Sequence, residues 1–384
     1  MKRPALAVDK GTSNSDPIGA ISRRSVLHLS GLAGAGILMP GLLAGCRGSS
    51  NPSYEAAAEE ARTAAGEVLG QGQVTSLVIA LTDAQGLVWV KGFGLADRST
   101  AAAPTGDTLY GIGSGSKMYA AVAVMQLVER GQVDLDAPFH QYVPQFTMFS
   151  PESMDVTVRM LLDHSSGLPG TDFRNVYSTV PGADYHTQLL DTVSHQRLKA
   201  RPGYMSVYCN DGFTLVESLV KAVTGLDYPA YVAQNILAPL GMTRSQYGNV
   251  LLPEGTAAKA YGADGAVRPQ EYSLLFATGG LFSTANEHAA FARALLNGGA
   301  GDHARILTPA SVSAMGTDQT VGTFRLVDEA SFAYGLGWDS VRQPGLAAVG
   351  VRAWSKGGDT INYHSETLVA PDQGLAVVVL LVAV

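Results

Sequence analysis

The chain has 384 residues, a formal charge of −7 at neutral pH, 46% hydrophobic residues and two cysteines. Its length suits one folded unit with two subdomains. The acidic balance argues against a nucleic-acid partner.

In chain order, the first feature is an address. Ser22-Arg23-Arg24-Ser25-Val26-Leu27 precedes an apolar, glycine-rich stretch to Leu43 and then Ala44-Gly45-Cys46, which resembles a twin-arginine lipoprotein signal. The stretch is too short, and too diluted by His28, Ser30, Pro40 and glycines, for a membrane-spanning helix. Residues 1–45 are therefore expected to be removed and Cys46 to carry a lipid anchor. The mature protein would be exported and held on the outer face of the cytoplasmic membrane, or periplasmic or extracellular if not lipidated. Losing five basic and two acidic residues moves the charge from −7 to −10. With Cys46 lipidated, Cys209 is the remaining thiol and no internal disulfide can form. Cys209 has no neighbouring histidine and reads as a small buried hydrophobe.

After a linker at 46–53, alanine-rich residues 56–68 predict a helix, and residues 76–83 and 87–93 predict two strands joined by Ala84-Gln85-Gly86 as a hairpin. From Ser114 to about residue 284 the pattern turns mainly helical, broken by Gly-, Pro- and aromatic-rich loops around 136–185 of the kind that line clefts. Strands return at 353–356, 363–370 and 375–382, the last two joined by Pro371-Asp372-Gln373-Gly374. The folded domain is expected over 54–384 as an α/β fold, an antiparallel sheet flanked by helices with a large mainly helical insertion. Its α/β part would be 54–113 and 285–384, and its helical part 114–284.

Three short signals follow one another in an order that suits serine acylation: Ser114-Gly115-Ser116-Lys117, Tyr208-Cys209-Asn210 and Lys356-Gly357-Gly358. A serine hydroxyl needs a base within hydrogen-bond reach, and three residues is about one helical turn, so Ser114 and Lys117 share a face. Leu109-Tyr110-Gly111-Ile112-Gly113 reads as a chain end loosened by glycines, which puts Ser114 at a helix start beside free backbone N–H groups. Two decoys compete. Ser218-Leu219-Val220-Lys221 also reads S-x-x-K, but inside the periodic run Phe213, Leu215, Val216, Leu219, Val220, Val223, where a serine faces solvent or a carbonyl. Tyr247-Gly248-Asn249 also reads Y-x-N, but follows Pro239-Leu240-Gly241-Met242 and looks like surface loop, whereas Tyr208 lies on a turn that runs into a helix. No H-E-x-x-H, paired C-x-x-C or G-x-x-x-x-G-K-[ST] occurs, so no metal and no nucleotide cofactor is expected. The lack of G-x-S-x-G counts against an α/β-hydrolase elbow.

Further matching segments are Thr157-Val158-Arg159-Met160-Leu161-Leu162-Asp163-His164-Ser165-Ser166-Gly167-Leu168-Pro169, Gly279-Gly280-Leu281-Phe282-Ser283-Thr284 and Tyr334-Gly335-Leu336-Gly337-Trp338. With the three triplets they resemble the serine hydrolases of the class C β-lactamase and D-alanyl-D-alanine carboxypeptidase superfamily, over nearly everything after residue 74. The resemblance implies a β-lactamase/transpeptidase-like fold in which Ser114 is the nucleophile, Lys117 its base and Tyr208 a proton relay. Asn210 would orient Lys117 and bond the substrate's amide. Lys356, at the start of an edge strand, would lower the pKa of Lys117 and attract a substrate carboxylate. Gly357 and Gly358 would set the geometry of that strand, and the backbone N–H groups of Ser114 and Asp359 would form the oxyanion hole. His164 reads as a turn-stabilising residue rather than a base. Relatives also close the sheet with a C-terminal helix, so the apolar strand ending near Val384 is expected to lack its natural cover.

One departure bears on the substrate: Gly357 stands where the family usually carries a hydroxyl residue. The expected substrates are D-amino-acid peptides, amides or β-lactam-like molecules with a carboxylate, small or peptidoglycan-derived. The alternatives are an esterase of the same fold and a non-catalytic lipoprotein that binds penicillin or wall fragments.

Overall fold

The computed structural model describes residues 54–171, 177–180, 185–324 and 333–383, so the expectations for the signal segment, Cys46 and most of the linker lie outside the described residues. The helices that matter for the site are α1 (Glu55–Gly70), α2 (Ser116–Glu129), α3 (Asn210–Thr224), α4 (Phe276–Gly279) and α5 (Ala285–Leu296). The strands are β1 (Val74–Asp83), β2 (Leu87–Gly94), β3 (Leu109–Gly111), β4 (Tyr177–Ser178), β5 (Gln246–Tyr247), β6 (Tyr272–Ser273), β7 (Leu281–Thr284), β8 (Trp354–Asp359), β9 (Tyr363–Ala370) and β10 (Leu375–Ala383).

Five strands form one antiparallel sheet in the order β2-β1-β10-β9-β8. β10 is apolar throughout because both of its faces are buried. Val378, Leu380 and Val382 face a core shared with α2 and α5, while Val377, Val379 and Leu381 face Ala61, Ala64, Ala65 and Val68 of α1 together with Leu346 and Val351. Cover on both faces is thus present within the described residues. Each such Leu or Val contributes about 1.5–3 kcal/mol by leaving water, so the β1–β10 pair anchors the sheet and holds β8 at its edge.

A second sheet, β3-β7-β5, corrects two expectations. Residues 109–111 are not a loosened chain end but a strand paired with β7, with Leu109 and Tyr110 buried. Tyr247 is not in a surface loop: it sits in β5, with its ring against Tyr228 at 5.6 Å and Phe276 at 5.7 Å. Strands of two or three residues have no periodicity to reveal them; pairing with β7 defines them.

Candidate active site

Ser114 occupies a 3-10 turn, Gly113–Gly115, that leads directly into α2. Gly113 has φ +49°, and a Cβ there would lie 2.6 Å from the Asp359 backbone N and O. A Cβ on Gly358 would lie 2.0 Å from the Ile112 carbonyl oxygen. Only glycine at both positions lets the Ser114 turn touch the edge strand β8 backbone to backbone.

Lys117 is fully buried and projects from the first turn of α2 toward Ser114. Its Nζ donates to Ser114 Oγ at 2.9 Å and to the Thr278 carbonyl at 2.8 Å. The Tyr208 hydroxyl donates to the same Ser114 Oγ at 2.7 Å. Burial first, and then the Lys356 cation, hold Lys117 well below the usual amine range, while Asp339 pulls the other way. Both amines lie near the Tyr208 ring, with Lys117 Nζ 5.1 Å and Lys356 Nζ 5.4 Å from its centroid.

His164 supports this arrangement from behind. It is buried with φ +66°, stacks on the Tyr208 ring at 4.6 Å, and its Nδ1 accepts the Cys209 N–H at 3.0 Å. Burial, and then the charges of Lys117 and Lys356, push its pKa well down, so a neutral ring braces Tyr208. Cys209 is buried as expected, its thiol pushed up to about 11 by burial.

Asn210 departs from its expected contact. Its Nδ2 donates to Thr171 Oγ1 at 2.9 Å, and its buried Oδ1 has no hydrogen-bond partner, so it does not orient Lys117. Thr278 on α4 does that through its carbonyl, and its hydroxyl also donates to the Asn210 carbonyl at 3.0 Å. Sequence reasoning missed Thr278, although it directly precedes the Gly279-Gly280 motif.

β8 supplies the opposite wall. The Ser355 and Gly357 amides point away from β9, to the Ser340 carbonyl at 2.7 Å and the Asp339 carboxylate at 3.2 Å, so alternation aims the Asp359 amide toward the Ser114 turn. That is the direction an oxyanion hole requires. Lys356 is 1% exposed, and its Nζ donates to both oxygens of Asp339 at 3.0 Å and to the Gly357 carbonyl at 2.6 Å. An open cation awaiting a substrate carboxylate was expected, and an ion pair is found. The partner was missed although it follows Gly337-Trp338 directly; only the backbone pairing of Ser340 with Ser355 brings it beside Gly357.

The decoys are distant in character. Ser218 is buried within α3, its Oγ lacking a hydrogen-bond partner rather than facing solvent or a carbonyl, and Lys221 points outward to Asp227 at 2.8 Å.

A serine whose oxygen meets a buried amine and a phenol, on a helix start facing an antiparallel edge strand, is an arrangement that the β-lactamase/transpeptidase fold accommodates. Residues 56–382 match the Beta-lactamase family, and the chain belongs to it. It is 28% identical over 237 residues to "Putative penicillin-binding protein PbpX" of Bacillus subtilis (strain 168), covering 60% of this chain and 58% of that protein. It is 30% identical over 311 residues to "Putative beta-lactamase-like 1" of Homo sapiens, covering 77% of this chain and 58% of that protein. The chain thus spans under two thirds of the length of these curated relatives. Among solved structures, the D-amino acid amidase of Ochrobactrum anthropi SV3 superimposes with a TM-score of 0.67 at 23% identity, covering 82% of this chain and 88% of that one.

Proposed function

We propose that the chain opens amide or ester bonds through an acyl-enzyme on Ser114, with amides built on D-amino acids as the favoured class. The observation that carries the reading is that Ser114 Oγ is shared between Lys117 Nζ at 2.9 Å and the Tyr208 hydroxyl at 2.7 Å, with Lys117 held toward its neutral form. Lys117 takes the Ser114 proton as the Oγ–C bond forms, and the new oxyanion rests on the Ser114 and Asp359 amides. One such donor is worth about 3–4 kcal/mol. As the bond to the leaving group breaks, the proton passes from Lys117 through Tyr208 to the departing atom. Water then attacks the acyl ester, returns a proton along the same path and frees Ser114. Asn210 Oδ1, buried and without a partner, is suited to accept a substrate N–H.

Support for D-amino-acid amides comes from the activity named for the amidase neighbour. An esterase is the second reading, favoured by the ion pair that occupies Lys356. Pure binding is disfavoured, since it has no use for an amine desolvated beside a nucleophile. Turnover of a panel of D-amino acid amides, D-Ala-D-Ala peptides, a penicillin and short-chain aryl esters tests the reading, and the lack of turnover of every amide and ester contradicts it. Export with lipidation at Cys46 is proposed from residues 22–46; loss of lipid labelling in Cys46→Ala, and retention in the cytoplasm of the Arg23→Lys, Arg24→Lys double variant, test it.

A further inference from the structure

We infer that Asp339 is an internal occupant of the carboxylate subsite at Lys356, and that it turns the cleft away from substrates carrying a free carboxylate on the leaving group and toward neutral ones. The inference rests on the acyl-enzyme reading above and adds a residue that sets its specificity.

An ammonium has three donors. In Lys356 two go to the Asp339 oxygens at 3.0 Å each and one to the Gly357 carbonyl at 2.6 Å. Asp339 is itself fixed, because its Oδ2 also accepts the Gly357 N–H at 3.2 Å and its backbone N–H donates to the Ser355 carbonyl at 3.0 Å. The Asp339 carboxylate therefore makes the contacts that an incoming carboxylate would seek from this strand. The residue that could have offered such an anion a hydroxyl is Gly357. A Cβ there would meet Glu366 Oε2 at 3.1 Å and Asp339 Oδ2 at 3.8 Å, two carboxylates rather than open space.

The local charge count points the same way. Lys356 is paired with Asp339, and Glu366 opposes the adjacent Gly357 in the β8–β9 register, while the neighbouring amine of Lys117 is held toward its neutral form. Asp339 is also partly exposed, its side chain retaining 27% of its accessible surface. An approaching carboxylate must displace a held carboxylate and meets like charge, which costs affinity steeply at short range. A carboxamide or ester leaving group meets neither obstacle.

The test uses two substrates that differ only in that charge: a D-Ala-D-Ala peptide and the same peptide with its C-terminus as the carboxamide. The wild-type chain should favour the carboxamide in kcat/KM. Asp339→Asn should shift the ratio of the two toward the free acid by about tenfold or more, and Asp339→Glu should retain the wild-type preference. Taking the ratio cancels any change in Lys117 basicity, which acts on both substrates alike. On the unsubstituted chain, N-acetyl-D-alaninamide should compete with a neutral aryl ester at concentrations where N-acetyl-D-alanine does not, so the inference is tested even where the variants do not fold. A wild-type preference for the free acid, a ratio unmoved in folded Asp339→Asn, or stronger competition by the acid overturns it. Mapping of the aryl-ester adduct separates the two claims: an adduct on Ser114 with an unmoved ratio ends this inference alone, whereas no adduct on Ser114 ends the acyl-enzyme reading.

Discussion

The chain carries S-x-x-K twice, and the two copies behave oppositely. At 114–117 the serine sits half-buried on a 3-10 turn, receives two hydrogen bonds, and has its lysine folded inward to full burial. At 218–221 the serine is sealed inside α3 without a partner, and its lysine reaches out to Asp227. Spacing puts both pairs on one helix face, but spacing does not desolvate a lysine or expose a serine. What distinguishes the first copy is long-range: Thr278, Tyr208 and Lys356 converge on it from elements far apart in sequence.

The largest expected effect breaks the comparison outright. Ser114→Ala should lower kcat by on the order of 10⁴- to 10⁶-fold, and Ser218→Ala should leave it unchanged, as read by steady-state turnover. A pH profile sharpens the role of the surroundings. Neutral Lys117 is the reactive form, so the rate should rise with pH through its lowered pKa and fall away below it. Lys356→Ala removes a cation that depresses Lys117, so the acid limb should move to higher pH, with activity lost near neutrality and regained in alkaline buffer. An unmoved limb denies Lys356 that role.

A smaller effect is expected at His164. Asparagine tolerates its positive φ and can keep an acceptor for the Cys209 N–H, but it removes the ring that braces Tyr208. His164→Asn should lower kcat by about ten- to a hundredfold with KM little changed. A raised KM with kcat unchanged would place the effect in binding. The smallest effect belongs to the second copy: Ser218→Ala removes a buried hydroxyl without a partner, so stability by denaturant titration should stay within about 1 kcal/mol of wild type or rise.

Much of the architecture was legible because its strands are long. Residues 363–370 and 375–382 show apolar runs bounded by a Pro-Asp-Gln-Gly turn, and they fold as β9 and β10 to within a residue. Ser114, Lys117, Tyr208, Lys356 and Asp359 were legible as motifs, and the structure brings them together. Asp339 and Thr278 were not, since each acts through a contact that register or a backbone carbonyl creates rather than residue type. Tyr247 misled for the same reason, its glycine-flanked sequence suggesting a loop where strand pairing makes core.

The central claim is that context, and not the motif, makes Ser114 the nucleophile. Intact mass spectrometry after exposure to a neutral aryl-ester acylating probe tests it directly, on the wild-type chain and on Ser114→Ala and Ser218→Ala. One acyl adduct on the wild type and on Ser218→Ala, mapped to Ser114, with none on Ser114→Ala, is the predicted result. An adduct that survives Ser114→Ala, or that maps to Ser218, contradicts the account.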